Sequence, residues 1–212
     1  MDTVTGVGVL DKAIDILRAV AERPAGLGAL QAATGLPRAT AHRLAVALEA
    51  HGLLRRDDEG RFDLGPGLAA LGRIADERFP IVELARDVLT RLRDDTGESV
   101  QLFVREGVQR RCVLSLPSPH ALRWIVPDGA LLPLELGSAG RVLSGEVGPD
   151  GWVASVEERE PGVASVSAPV RAGDATVVAA VSISGPVERL SRRPGERFGI
   201  LVAAAAARIL LP

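Results

Sequence analysis

The chain has 212 residues, 47% of them apolar, with 25 Lys+Arg against 27 Asp+Glu and a formal net charge of −2. That length and apolar content suit one or two domains with a real core, and the balanced charge excludes a general nucleic-acid coat and a binder of anionic membranes. A single cysteine, Cys112, excludes an internal disulfide framework and fits a reducing compartment. No cationic apolar leader is present, and the longest smooth apolar run, 200–207, is too short to span a bilayer, so a soluble cytoplasmic protein without a membrane partner is expected.

Leu10, Ile14, Leu17 and Ala21 fall at helical spacing and predict a first helix, which Pro24 and Gly26 end. A short helix over 27–33 follows, then a tight turn at Gly35. Pro37 opens a longer helix, where its missing N–H costs nothing. In that helix Ala41, Leu44, Ala45 and Leu48 should face the core, which turns Ala39, His42, Arg43 and Val46 outward. Two extended runs, 53–56 and 61–64, flank Asp57-Asp58-Glu59-Gly60 and predict a hairpin.

Helix, turn, helix and hairpin in this order make a winged helix-turn-helix, and its implied partner is double-stranded DNA. The second helix of such a unit enters the major groove with its N-terminal residues at the base edges. Arg38, Thr40, His42 and Arg43 are the candidates to read bases or clamp phosphates, with Arg61 on the wing beside Arg55 and Arg56. The plainer alternative is a packing or dimerisation module whose arginines form a solvated face. Up to Arg73, nine basic residues stand against nine acidic ones. Binding would therefore rest on local placement and on two heads acting together, with strong salt dependence.

After the wing, Gly65-Pro66-Gly67 breaks the chain and 68–74 resumes a helical pattern. Pro80 then begins an amphipathic segment with Ile81, Leu84, Ala85, Val88, Leu89 and Leu92 on one face. The expected division is a DNA-binding domain over 1–76, a linker helix over 77–97 and a second domain over 98–212. Such a helix can set the spacing of two DNA heads or pack on its own domain. Runs 100–105 and 111–116 predict a hairpin, 122–126 a further strand, and 163–170 and 177–184 the clearest strands. An Ala-rich helix over 196–210 closes an α+β domain.

Nothing in the second domain assembles a catalytic set. His42, His51 and His120 are scattered, no cluster has metal-ligand spacing, and neither a nucleophile elbow nor a phosphate-cradling loop occurs. No enzyme, cofactor or metal is expected. Gly137-Ser138-Ala139-Gly140 opens a short helix, either as a site for a small carboxylate on its backbone N–H groups or as an ordinary turn. Cys112, in a strand, reads first as a small buried apolar residue and second as a redox thiol.

The blocks G-V-L-D-K-A-I-D-I-L, P-R-A-T-A-H-R-L, D-D-T-G-E-S-V, G-A-L-L-P-L, E-R-E-P-G-V-A-S-V-S-A-P-V and V-V-A-A-V-S-I-S-G-P resemble, in order and over nearly the whole chain, the IclR family of bacterial transcriptional regulators. The resemblance is strongest to the actinobacterial members that govern amino-acid biosynthesis, leucine in particular. It implies a GAF-like effector-binding domain, a homodimer or dimer of dimers, and a small-molecule effector such as an amino acid or small carboxylate. It also implies pocket positions: Ser138 and Ala139 in the loop, Ser155 at an acidic position, Ser165 at a thiol position, and Ser182 and Ser184 at two strand serines. Ser155 and Ser165 depart from the acid and thiol of members that bind small keto acids, which speaks against a glyoxylate- or pyruvate-like effector. The segment around 145–151 is shorter than in the family, which implies a reduced wall on one side of the pocket. The rival reading is a GAF-like small-molecule or redox sensor that acts through protein contacts and carries a vestigial DNA head.

Overall fold

The structure, a computed structural model, describes residues 7–210 and divides into two compact units, Met1–Phe79 and Pro80–Pro212. In the first, α1 (Gly8–Glu22), α2 (Leu27–Thr34) and α3 (Arg38–Ala50) pack around Ile16, Leu30, Ala41 and Ala45, all without exposed surface. Gly35 ends α2 at φ 68°, a left-handed conformation that glycine adopts without the usual Cβ penalty, and its N–H bonds Gln31 O. Pro37 sits one residue before α3, and its carbonyl accepts from Thr40 and Ala41 N–H. Strands β1 (Leu54–Arg56) and β2 (Phe62–Leu64) pair antiparallel as the wing, and Phe62 and Leu54 seal the core from that side.

Two expectations for this unit change. The buried face of α1 is Ile16 and Val20, whereas Leu10 is 51% and Ile14 36% exposed. The helix after the wing, α4 (Pro66–Arg78), is longer than 68–74 and buries no residue.

The second unit begins with α5 (Ile81–Thr96) and continues through β3 (Ser99–Glu106), β4 (Gln109–Leu116), β5 (Leu131–Pro133), α6 (Ser138–Leu143), β6 (Val153–Val156), β7 (Val163–Arg171), β8 (Val177–Pro186), α7 (Val187–Leu190) and α8 (Pro194–Ala207). Its six strands form one antiparallel sheet in the order β5-β4-β3-β8-β7-β6. Alternation along the strands gives the sheet two different faces. Val100, Leu102, Val166, Val181 and Ile183 meet Ala85, Leu89 and Leu92 of α5 and Phe198 and Val202 of α8 in the main core. Phe103, Cys112 and Ala180 point the other way, onto Ala139, Val142 and Leu143 of α6.

The helix assigned to a linker over 77–97 therefore belongs to the second unit, because Ile81, Ala85, Leu89 and Leu92 are buried against its sheet. Residues 122–126 form no strand. Their carbonyls are taken by side chains instead: Ser99 Oγ donates to Trp124 O at 2.7 Å and Arg189 Nη1 to Leu122 O at 2.7 Å. The ladder position goes to β5, which pairs with β4, and the short β6 completes the other edge. Among the described residues no helix is long and apolar enough to cross a membrane.

Candidate functional site

Two sets of side chains stand out, one in each unit. In α3, Ala41, Ala45 and Leu48 are buried, and His42, Arg43 and Val46 are exposed on the opposite face. Arg38 is exposed and reaches Gln31 Oε1 at 3.5 Å, and Thr40 is half-buried. No acid pairs with Arg38 or Arg43 among the described residues.

The wing arginines are placed differently. Arg61 Nε donates to Asp57 Oδ2 at 2.8 Å and its Nη1 lies 2.9 Å from Glu59 Oε2. The Arg61 guanidinium holds the Asp57 carboxyl below its ordinary 3.8, and that carboxylate also accepts from the Glu59 and Arg61 N–H groups that shape the turn. Arg55 pairs with Asp63, while Arg56 meets Glu49 at 3.3 Å and stacks 3.7 Å above the Phe62 ring. An arginine on the wing must loosen an acid before it can clamp phosphate; one on α3 need not.

In the second unit a narrow cleft, open to solvent on one side, lies between α6 and the sheet face opposite α5. A connected set of hydroxyls lines and backs it. Ser138 Oγ lies 2.7 Å from Ser165 Oγ and 2.8 Å from Ser167 Oγ, Ser155 Oγ is 2.9 Å from Ser165 Oγ, and Ser167 Oγ donates to Ser182 Oγ at 2.9 Å. Ser184 donates to Gln101 Oε1 at 2.9 Å on the same wall. The fold thus brings Ser138, Ser155, Ser165, Ser182 and Ser184 together, with Ala139 beside them. Two amide donors of the loop are already engaged, Gly137 N–H by Glu158 and Ser138 N–H by Ser155. Gly140 is where α6 approaches the loop before it most closely, since a Cβ there would sit 2.0 Å from Leu134 O and 2.6 Å from Arg110 Nη1.

Among the polar residues that escaped the sequence reading are Gln101, Arg110 and Arg159 of the cleft and Ser167 behind it. Ser167 follows Ser165 at i+2 and could have been found by the spacing that joins Ser182 to Ser184. Gln101 precedes Phe103 on the same face of β3. Arg110 is 3% exposed, and it falls at the inward phase of β4, two residues before Cys112. Arg159 lies in the loop before β7, where no periodicity marks it. Cys112 itself is fully buried, and burial foremost, with the charge of Asp128, pushes its thiol up to about 12.

Comparison with known proteins bears on both units. Residues 9–58 match the IclR helix-turn-helix domain, and 146–210 match the C-terminal domain of bacterial IclR regulators. The glycerol operon regulatory protein of Streptomyces coelicolor is 31% identical over 92% of this chain and 91% of its own length. The chain belongs to the IclR family. It is a DNA-binding transcriptional regulator and not an enzyme. The transcriptional repressor IclR of Escherichia coli K12 is 21% identical over 95% of the chain and 88% of its own length. Among solved structures, the Thermotoga maritima IclR aligns with a TM-score of 0.70 at 21% identity, over 95% of this chain and 97% of that one. An IclR homologue from Microbacterium hydrocarbonoxydans, complexed with 4-hydroxybenzoate, aligns with a TM-score of 0.76 at 21% identity, over 95% and 97%. These likenesses agree with the α+β architecture of a winged helix-turn-helix followed by an IclR effector-type sheet domain.

Proposed function

We propose that this IclR-family chain is a cytoplasmic homodimer, or dimer of dimers, that binds operator DNA through α3 and the wing and responds to a small effector held in the serine cleft. The observation that carries the reading is the pairing, in one chain, of an outward α3 face free of acids with a polar cleft in a separate unit. Arg38, Thr40, His42 and Arg43 meet the DNA, and Arg61 joins them once its contacts with Asp57 and Glu59 yield. Exposed apolar positions support self-association: Val9 is 63% and Leu10 51% exposed on α1, and Leu71 is 60% and Ile74 40% exposed on α4. A 13-residue helix that buries nothing is marginal on its own in water, and a second copy would cover it.

The effector takes Ser138, Ala139, Ser155, Ser165, Ser182 and Ser184 as its walls, and its class is an amino acid or small carboxylate. The 4-hydroxybenzoate bound by the Microbacterium relative is a carboxylate of that size. Leucine and the genes of leucine-type biosynthesis or metabolism come from the resemblance. The names of two relatives instead concern glycerol and acetate operons. The deciding experiment is fluorescence anisotropy of the full chain on its own upstream DNA against a scrambled duplex, with salt varied and leucine, related amino acids and small carboxylates added. Tighter binding to its own DNA, shifted by one compound, is the expected result. Equal weak binding to all candidate operators and to the scrambled duplex would overturn it in favour of a sensor with a vestigial head.

A further inference from the structure

Helix α8 has two faces in burial but only one in chemistry. Phe198, Val202, Ala205 and Ala206 are buried against the sheet, as an amphipathic helix requires. The opposite face should then be polar, yet the ten residues from Phe198 to Ala207 include no charged or polar side chain. Ile200 is 79% and Leu201 46% exposed, and Ala204 and Ala207 are exposed beside them. A helix that is apolar all round belongs in an interior, so this surface lacks its cover.

The exposed residues form an ordered row. Glu196, Ile200, Ala204 and Arg208 recur every fourth position, which makes them one ridge of the helix, and all four are exposed. Glu196 meets Arg193 at 3.3 Å in a pair open to solvent, and Arg208 forms no ion pair among the described residues. Arg197, beside the row, is turned back onto its own unit: its Nη1 donates to Arg189 O at 2.9 Å, and its guanidinium lies 4.8 Å from the Phe198 ring centre. The ridge stands clear, with an acid at one end, a base at the other, and a large side chain next to a small one between them.

Turned end for end, this row complements itself. Glu196 then lies beside Arg208 of a second copy, and Ile200 beside its Ala204. A two-fold contact demands this reciprocity, because every contact between two residues must also occur in reverse. Interdigitated ridges of this spacing cross at about 50°, the commonest helix packing, and alanines let the two axes come close. The same arrangement sets the positive N-terminal end of each α8 toward the negative C-terminal end of the other. A partner of another kind would require no such symmetry in the row.

We infer that α8 is a two-fold contact between copies of this chain, packing antiparallel on the ridge of Glu196, Ile200, Ala204 and Arg208. This rests on the reading that the chain self-associates, and it adds a surface in the second unit to the exposed apolar residues of α1 and α4. One helix pair covers much less than the about 800 Å² per partner of a standard interface, so the contact acts together with that of the heads rather than alone.

The test is sedimentation velocity of the full chain at low ionic strength, over about 1 to 100 µM. Ile200→Glu sets a bare charge against Ala204 of the other copy and should raise the dissociation constant of the largest assembly about tenfold or more. Glu196→Arg alone and Arg208→Glu alone should each weaken it about fivefold, because each ion pair occurs twice. The two together reverse the pairing without losing it and should return the constant to within about threefold of the wild type. All these positions are exposed, so circular dichroism should show folded protein throughout. Leu71→Glu on α4 is the control for the heads. An assembly weakened by Leu71→Glu and indifferent to Ile200→Glu overturns the α8 contact and keeps the self-association reading. The opposite pattern keeps the α8 contact and removes α4 from the interface. Sensitivity to Ile200→Glu without rescue by the double charge exchange overturns the antiparallel ridge, and a wild type that stays monomeric up to about 100 µM overturns both readings.

Discussion

Arg43→Ala offers a quantitative view of how the head holds DNA. Arg43 is exposed on the outward face of α3 and no acid competes for it. If it clamps a phosphate, its loss removes about 0.9 from the slope of log K against log salt for each head, or about 1.8 for a dimer. Between about 50 and 200 mM salt, a fourfold change, the wild type should then lose about tenfold more affinity than the variant loses. If Arg43 instead pairs with a guanine edge, the slope stays and the variant loses about 1–3 kcal/mol per head on its own operator, with no loss on scrambled DNA. Arg61→Ala provides the contrast. Because Arg61 already pairs with Asp57 and Glu59, its removal should flatten the slope less than the loss of Arg43. Anisotropy titrations at four or five salt concentrations read both quantities. A variant that matches wild type in affinity and slope on both duplexes refutes the placement of Arg43 at the DNA, and loss of folding by circular dichroism would assign it a structural part.

Other consequences are equally direct. Cys112 is fully buried with its thiol pushed up to about 12, so native protein at about pH 8 should resist iodoacetamide while denatured protein reacts; rapid stoichiometric labelling of the native chain would revive the redox reading. Gly140→Ala places a methyl 2.0 Å from Leu134 O, so α6 must move, at about 1–3 kcal/mol, and calorimetry should show a lower unfolding midpoint. An unchanged midpoint would mean that the loop before α6 gives way freely. Leu89→Ala empties a fully buried site between α5 and the sheet and should cost about 2–5 kcal/mol. A loss under about 0.5 kcal/mol, typical of a surface position, would return α5 to the part of a free-standing linker.

The head was legible because its signals are local. Pro37, the spacing of Ala41, Ala45 and Leu48, and the glycine-closed wing each act within a few residues, and the structure follows them closely. The first helix misled because Leu10 and Ile14 are as apolar as a core stripe, yet both stay exposed while Ile16 and Val20 enter the core. In the sheet, β7 and β8 were plain from their valines, whereas 122–126 looked like a strand and lacked a neighbour to pair with. Arg110 was hidden by its type, since arginine in a strand reads as a surface residue. Alternation could not be carried along β4 either: the register shift opposite Leu102 and Phe103 leaves Val113 unmatched, so Cys112 faces α6 while Leu114 joins the α5 side. Ser155 and Ser165 were found only through the resemblance, because β6 and β7 meet across a loop that carries no local mark.

Strand β7 carries two messages, interleaved residue by residue. Ala164, Val166, Ala168 and Val170 are fully buried on the side that holds the unit together, whereas Ser165 lines the cleft and Ser167 backs it through its hydrogen bonds to Ser138 and Ser182. Because successive side chains leave a strand in opposite directions, substitutions at the odd-numbered positions alter what the cleft accepts and leave the even-numbered packing untouched. On the proposed reading of the cleft, such a strand would let its chemistry drift by small steps, each step leaving a folded unit behind it.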